Sequence, residues 1–100
     1  MTTIGRSAFE GCDNLTSVTI GNGVTTIGEA AFWNCSALIS ITIPDSVKAI
    51  GGWVFYNCTN LSTITYKGTN AQWQEVSLGL NWLKNTKVKV IKCLDGDFEL

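Results

Sequence analysis

Histidine is absent from this chain of 100 residues. Its absence removes the commonest general base, the usual metal ligand and the group that ordinarily activates a serine or cysteine nucleophile. Charge is scarce too: seven basic and eight acidic side chains leave a formal net charge of −1. A protein that neutralises a row of phosphates carries a marked basic excess, so nucleic acid is not expected as a partner. Lys84, Lys87, Lys89 and Lys92 do cluster, but Asp95, Asp97 and Glu99 follow at once and offset their field. No apolar run is long enough to cross a bilayer, and no stretch reads as a signal peptide. Paired carboxylates are lacking as well, since Glu10, Glu29, Asp45 and Glu75 are scattered along the chain. Catalysis and a bound cofactor are therefore not expected.

What is present is a repeat. Ile4, Ile27 and Ile50 recur at intervals of 23 residues, each followed by glycine: Gly5, Gly28 and Gly51. In phase with them run Phe9, Phe32 and Phe55, then Cys12, Cys35 and Cys58, then Leu15, Leu38 and Leu61. Val18, Ile41 and Ile64 follow, and Thr19, Thr42 and Thr65 come one residue later. A unit this short cannot bury its own apolar side. It must stack on copies of itself, so that equivalent residues form ladders. Val18 and Ile20 alternate with Ser17 and Thr19, the period-two pattern of a half-buried strand, and stacking such strands makes a parallel sheet. Gly21-Asn22-Gly23 and Pro44-Asp45-Ser46 turn the chain, and Val24 to Ile27 or Val47 to Ile50 forms a second extended piece. The spacing in Glu29 to Asn34 predicts one helical turn with Phe32 inward. The fold expected is an α/β solenoid with coils at about residues 1–20, 21–43 and 44–66.

Residues 67–100 depart from the repeat and are expected to cap the last coil within the same domain. Thr69 and Gln72 form a capping box, predicting a helix that runs to about Leu78 and stops at Gly79. Trp73, Val76 and Leu80 are expected to lie against the last coil. A strand over Thr86 to Lys92 and a turn at Asp95-Gly96 should bring Phe98 and Leu100 back alongside. At the other end Met1 falls at the position of Val24 and Val47. The first strand of that coil is thus expected to be missing, leaving an apolar end open to self-association.

Several residue sets invite a chemical reading. The in-phase cysteines lack the local pairs and histidines of a zinc site, and a core position suits a free thiol, so Cys12, Cys35 and Cys58 read as a structural ladder. Cys93 stands outside it. Four Asn-x-Ser/Thr sequons begin at Asn14, Asn34, Asn57 and Asn60, and they read as turn chemistry. Ser17, Ser40 and Thr63 line one hydroxyl row and Thr19, Thr42 and Thr65 the next. Such rows could meet a flat ligand, but they also suit any solvated sheet. The strongest candidates are aromatic. Trp33 and Tyr56 hold equivalent positions one coil apart, where the first coil has Glu10, and Trp53 lies three residues before Tyr56. Because Phe32 and Phe55 face inward, Trp33 and Tyr56 should point at least partly outward, as contact residues do.

The segments Ile27-Gly-Glu-Ala-Ala-Phe-Trp-Asn-Cys-Ser-Ala-Leu and Ile41-Thr-Ile-Pro-Asp-Ser-Val resemble the BspA-type, or treponemal, leucine-rich repeat. Gly68-Thr-Asn-Ala-Gln-Trp, Asn81-Trp82 and Cys93-Leu-Asp-Gly-Asp are similar to the cap that often ends such arrays. The resemblance implies a leucine-rich repeat solenoid from a cell-surface or secreted protein, with a host matrix or surface protein as partner. The function expected is therefore a non-catalytic protein-binding or adhesion module. A carbohydrate-binding module and a structural spacer within a longer array are the alternatives.

Overall fold

The computed structural model describes residues 2–100. Its strands are β1 (Thr3–Ile4), β2 (Ser17–Thr19), β3 (Thr26–Ile27), β4 (Ser40–Ile43), β5 (Ala49–Ile50) and β6 (Thr63–Tyr66). A helix α1 (Asn70–Gln74) precedes β7 (Ser77–Leu78), β8 (Val90–Cys93) and β9 (Gly96–Glu99). They form two sheets, one ordered β1-β3-β5-β7 and the other β2-β4-β6-β8-β9. Every neighbouring pair is parallel except β8 with β9. The repeat dictates the register: Ile4 lies beside Ile27 and Ile27 beside Ile50, while Val18, Ile41 and Ile64 pair in turn. Stacked in this way, each coil closes the apolar side of the next, which is the solenoid expected from the sequence. Its coils are strands and turns, however, and the fold is a β-solenoid in place of an α/β one.

Several details differ from the sequence reading. Glu29 to Asn34 is a run of tight turns, with no helical turn. Ala30, Phe32 and Asn34 donate their amides to the Gly52, Val54 and Tyr56 carbonyls of the next coil, while Ala31, Trp33 and Cys35 close local turns. Every second amide is thus committed between coils and is unavailable to a helix. Ala30 and Asn34 also have left-handed φ values of 57° and 63°, which a right-handed helix excludes.

The capping box of Thr69 and Gln72 is formed, but α1 ends at Gln74, not near Leu78. The reason is tertiary: Ser77 and Leu78 pair with Ala49 and Ile50 and are drawn out of the helix as β7. Both sheets consequently run past residue 66, and residues 77–93 build a fourth coil before the β8–β9 hairpin closes one sheet. Trp73 and Val76 are buried as expected, whereas Leu80 is 71% exposed because it begins the outermost turn row. Gly79 does not stop a helix. It lies so close to the Gly52 amide of the preceding coil that no side chain fits there.

At the first coil, the expected loss of a strand is overturned, since β1 is formed and pairs with β3. The alignment of Met1 with Val24 and Val47 concerns a position outside the described residues. Among the described residues no helix is long and apolar enough to cross a membrane.

Ladders fill the interior. Phe9, Phe32 and Phe55 stack with centroids 5.3 and 5.6 Å apart, and Trp82 meets Phe55 edge-on at 6.3 Å. Cys35 and Cys58 are fully buried, and their thiols donate to the Phe9 and Phe32 carbonyls of the preceding coil at 3.1 and 3.0 Å. Pairing with the Cys35 thiol, and then burial, push Cys58 well above a thiol's ordinary pKa. Burial does the same to Cys93, with Asp95 and Asp97 adding to it. Pairing with Cys58 lowers Cys35 to about 7, but Cys35 and Cys58 are both fully buried, so access to the thiol ranks reactivity. Brief alkylation of the native chain is expected to label the half-buried Cys12 and Cys93 and to spare Cys35 and Cys58. Peptide mass spectrometry reads this directly, and label on Cys58 before unfolding would contradict the ladder.

Candidate functional site, the aromatic turn row

The turn row comprises residues 6–11, 29–34, 52–57 and 80–85, one stretch per coil. Its chain direction is fixed by the interior aromatics, which hold Phe32 and Phe55 inward and leave the following side chains outside. Those neighbours are Trp33 and Tyr56, whose rings meet edge to face with centroids 6.0 Å apart. Trp53 packs edge-on against Tyr56 at 5.0 Å, so the structure brings all three candidate aromatics into one cluster. Trp33 is 37% exposed, and Trp53 and Tyr56 are half-buried. The inter-coil bonds fix the column: Gly11 reaches Trp33, Asn34 reaches Tyr56 and Asn57 reaches Lys84. The column outside the coils thus reads Glu10, Trp33, Tyr56, Lys84, two aromatics framed by opposite charges.

Trp53 is held at φ = 60°. A bulky side chain in the left-handed region is an outlier, and such residues cost about 1–3 kcal/mol where they persist. Ser7, Ala30 and Asn81 share the conformation at the same step of their coils, at 55°, 57° and 55°. The turn geometry therefore imposes it. Sequence reasoning missed this feature because the repeat places small or polar residues at that step in the other coils, and only the odd size of Trp53 hinted at it.

Beside the aromatics runs an amide ladder. Asn57 donates from Nδ2 to Asn34 Oδ1 at 2.9 Å, and Asn85 donates in turn to Asn57 at 2.7 Å. All three asparagines are left-handed, with φ of 63°, 65° and 68°, and Gly11 takes the same step in the first coil. Two of the four sequons, at Asn34 and Asn57, thus have their amides engaged in this ladder.

The hydroxyl rows lie on the sheet of β2, β4 and β6, a different side of the coil. Ser17, Ser40 and Thr63 are in register, as are Thr19, Thr42 and Thr65, with Lys92 ending the second row. Ser17 and Thr19 are exposed and the other four half-buried, because each inner strand is flanked on both sides. The structure does not join these rows to the aromatic cluster. Two further polar groups escaped the sequence. The Tyr66 hydroxyl is buried without a hydrogen-bond partner among the described residues, and burial raises its pKa, helped by Asp45 and Cys93. Asp95 accepts from the backbone amide and Nδ2 of Asn70 at 2.9 and 2.7 Å. The side-chain bond, then the backbone one, lowers its pKa. That carboxylate ties the closing hairpin to the start of α1.

A family model for the BspA type leucine rich repeat region matches residues 1–94 in six copies, a stretch that the chain folds into four coils. No curated protein matches the sequence. A crystal structure of a leucine rich cell surface protein from Faecalibacterium prausnitzii is similar, at 42% identity and a TM-score of 0.74, covering 76% of this chain and 20% of that one. A leucine-rich repeat protein from Bacteroides ovatus is 38% identical with a TM-score of 0.73, covering 89% of this chain and 22% of that one. The leucine rich repeat protein of T. pallidum shares the fold, with a TM-score of 0.70 at 21% identity over 91% of this chain and 51% of that one. The chain thus spans 20% and 22% of the length of the first two.

Proposed function

The chain belongs to the BspA-type leucine-rich repeat family, and on that premise we propose that it is a non-catalytic protein-binding module of a cell-surface or secreted protein. Its contact surface is the aromatic turn row of Trp33, Tyr56 and Trp53. One observation carries this reading: three large aromatics converge on the outer side of adjacent coils, one of them in a left-handed conformation. Trp and Tyr dominate binding energy where they can be fully desolvated by a partner, and a preformed cluster loses little rotamer freedom on contact. Glu10 and Lys84 at the two ends of the column set the direction of a partner with opposite charges. The cell surface protein of Faecalibacterium prausnitzii supports the placement, and a host matrix or surface protein is the partner class we favour. The Ser and Thr rows at residues 17, 19, 40, 42, 63 and 65 are a second, flatter surface that lacks such anchors.

The test is binding to immobilised matrix proteins, with soluble glycans as competitors. Trp33→Ala with Tyr56→Ala is expected to weaken binding at least about tenfold, corresponding to about 1.4 kcal/mol, while the melting curve shows the chain still folded. Loss of binding to glycans instead of protein would identify a carbohydrate module. Undiminished protein binding by the folded double variant would move the site to the hydroxyl rows.

A further inference from the structure

The aromatic turn row carries four charged side chains, and two of them neutralise each other. Arg6 donates from Nη2 to Glu29 Oε1 at 2.7 Å, across the first two coils. Glu10 and Lys84 remain, both exposed and both outside any ion pair among the described residues. Glu10 sits directly beside Trp33 in the outer column and Lys84 directly beside Tyr56, held there by the inter-coil bonds of Gly11 and Asn57. Four consecutive coils therefore present acid, aromatic, aromatic, base. The pattern is made by immediate neighbours and holds whatever lies beyond these coils.

The dimensions of this column fit one kind of partner. Coils stack about 4.8 Å apart, which separates Glu10 from Lys84 by about 14 Å along the axis. An extended chain rises about 3.3 Å per residue, so the first and fifth of five residues are about 13 Å apart. Their side chains, with that of the third residue, share one face. The third side chain then falls midway, at the step between Trp33 and Tyr56, whose ring centroids are 6.0 Å apart. Asn34, Asn57 and Asn85 run alongside. A side-chain amide has two protons and two lone pairs, so the ladder saturates none of the three. An extended backbone laid against them still has donors and acceptors to offer. A helix would need about nine or ten residues for the same reach, and its backbone bonds are already made internally.

We propose that the partner's contact is an extended five-residue segment lying along the solenoid axis. Its basic first or last residue meets Glu10, its apolar middle residue enters between Trp33 and Tyr56, and the acidic residue at its other end meets Lys84. This rests on the protein-binding reading above and names the chemistry that the aromatic row selects. The rings give affinity by drying the middle side chain, and the two charges give choice. A segment with two basic residues is repelled at Lys84, and one with two acidic residues is repelled at Glu10.

Fluorescence anisotropy at low salt tests it with three labelled peptides, blocked at both termini. All share a central leucine between serines. Their first and fifth residues are lysine and glutamate, lysine twice, or glutamate twice. The wild-type chain is expected to bind the mixed peptide at least about tenfold more tightly than either like-charged one. Glu10→Lys should shift the preference to the doubly acidic peptide, and Lys84→Glu to the doubly basic one. Both are exposed positions, so the melting curves should match wild type. Equal binding of the three peptides by the wild-type chain overturns the proposal. So does binding of none, or failure of either variant to switch. Matrix-protein binding that Trp33→Ala with Tyr56→Ala abolishes, beside peptides without preference, would leave the binding module standing and refute the segment alone. Matrix binding that the double variant keeps, again without peptide preference, would remove both.

Discussion

Phe55→Ala is expected to cost about 3–5 kcal/mol, the range for deleting a buried aromatic ring. Phe55 is fully buried, stacked on Phe32 on one side and met edge-on by Trp82 on the other. Losing it opens a cavity that neighbouring coils cannot close, because their spacing is fixed by inter-coil hydrogen bonds on either side of the ring. Domains of this size have about 5–15 kcal/mol to lose in all, so the variant should be close to unfolding at ambient temperature. Phe9→Ala at the same repeat position should cost about 1 kcal/mol or less, because Phe9 is 42% exposed and most of its transfer energy is never gained. Urea titration followed by tryptophan fluorescence measures both. Equal losses at the two positions would mean that the first coil is covered in solution.

The second large effect comes from adding a single carbon. In Gly51→Ala the new Cβ would lie 2.5 Å from the Glu29 backbone nitrogen and 2.8 Å from the Gly28 carbonyl carbon. These are backbone atoms held in the adjacent coil, so relief requires the coils to part and strains the inter-coil bonds on both sides. A loss of about 1–3 kcal/mol or more is expected, as for overpacking elsewhere. Gly5→Ala should have the opposite sign. Its Cβ meets nothing within 4 Å, and removing a glycine restricts the unfolded chain, a gain of about 0.4–1 kcal/mol. Thermal melts of the dilute variants separate the two cases. Destabilisation by Gly5→Ala comparable to that by Gly51→Ala would show that a Cβ at residue 5 is strained for reasons other than a stacked coil.

The pair Phe9 and Phe55, like the pair Gly5 and Gly51, shows where sequence reading stops. A repeat specifies which residues are equivalent, and equivalence is a local property of the unit. Burial is a property of position in the stack. Local patterning by itself therefore determined the 23-residue coil, the parallel register of Val18, Ile41 and Ile64, and the inward-facing Phe32 and Phe55. It also placed Trp33 and Tyr56 in one column and the capping box at Thr69 and Gln72. These follow from side-chain periodicity and turn chemistry, which need only a few neighbours along the chain.

Other features depended on a partner distant in sequence, and only the tertiary structure decided them. Glu29 to Asn34 forms turns because the next coil takes its alternate amides. Helix α1 is short because β5 captures Ser77 and Leu78. Leu80 is exposed because its coil is the outermost before the hairpin, and Trp53 is left-handed because every coil turns at that step. For the turns and the helix the competing local preference is worth a fraction of a kcal/mol per residue, and an inter-coil hydrogen bond exceeds it. The left-handed Trp53 instead costs about 1–3 kcal/mol, which the surrounding coils offset together. The repeat was legible because it is local, and the site and the two ends were not because stacking makes them.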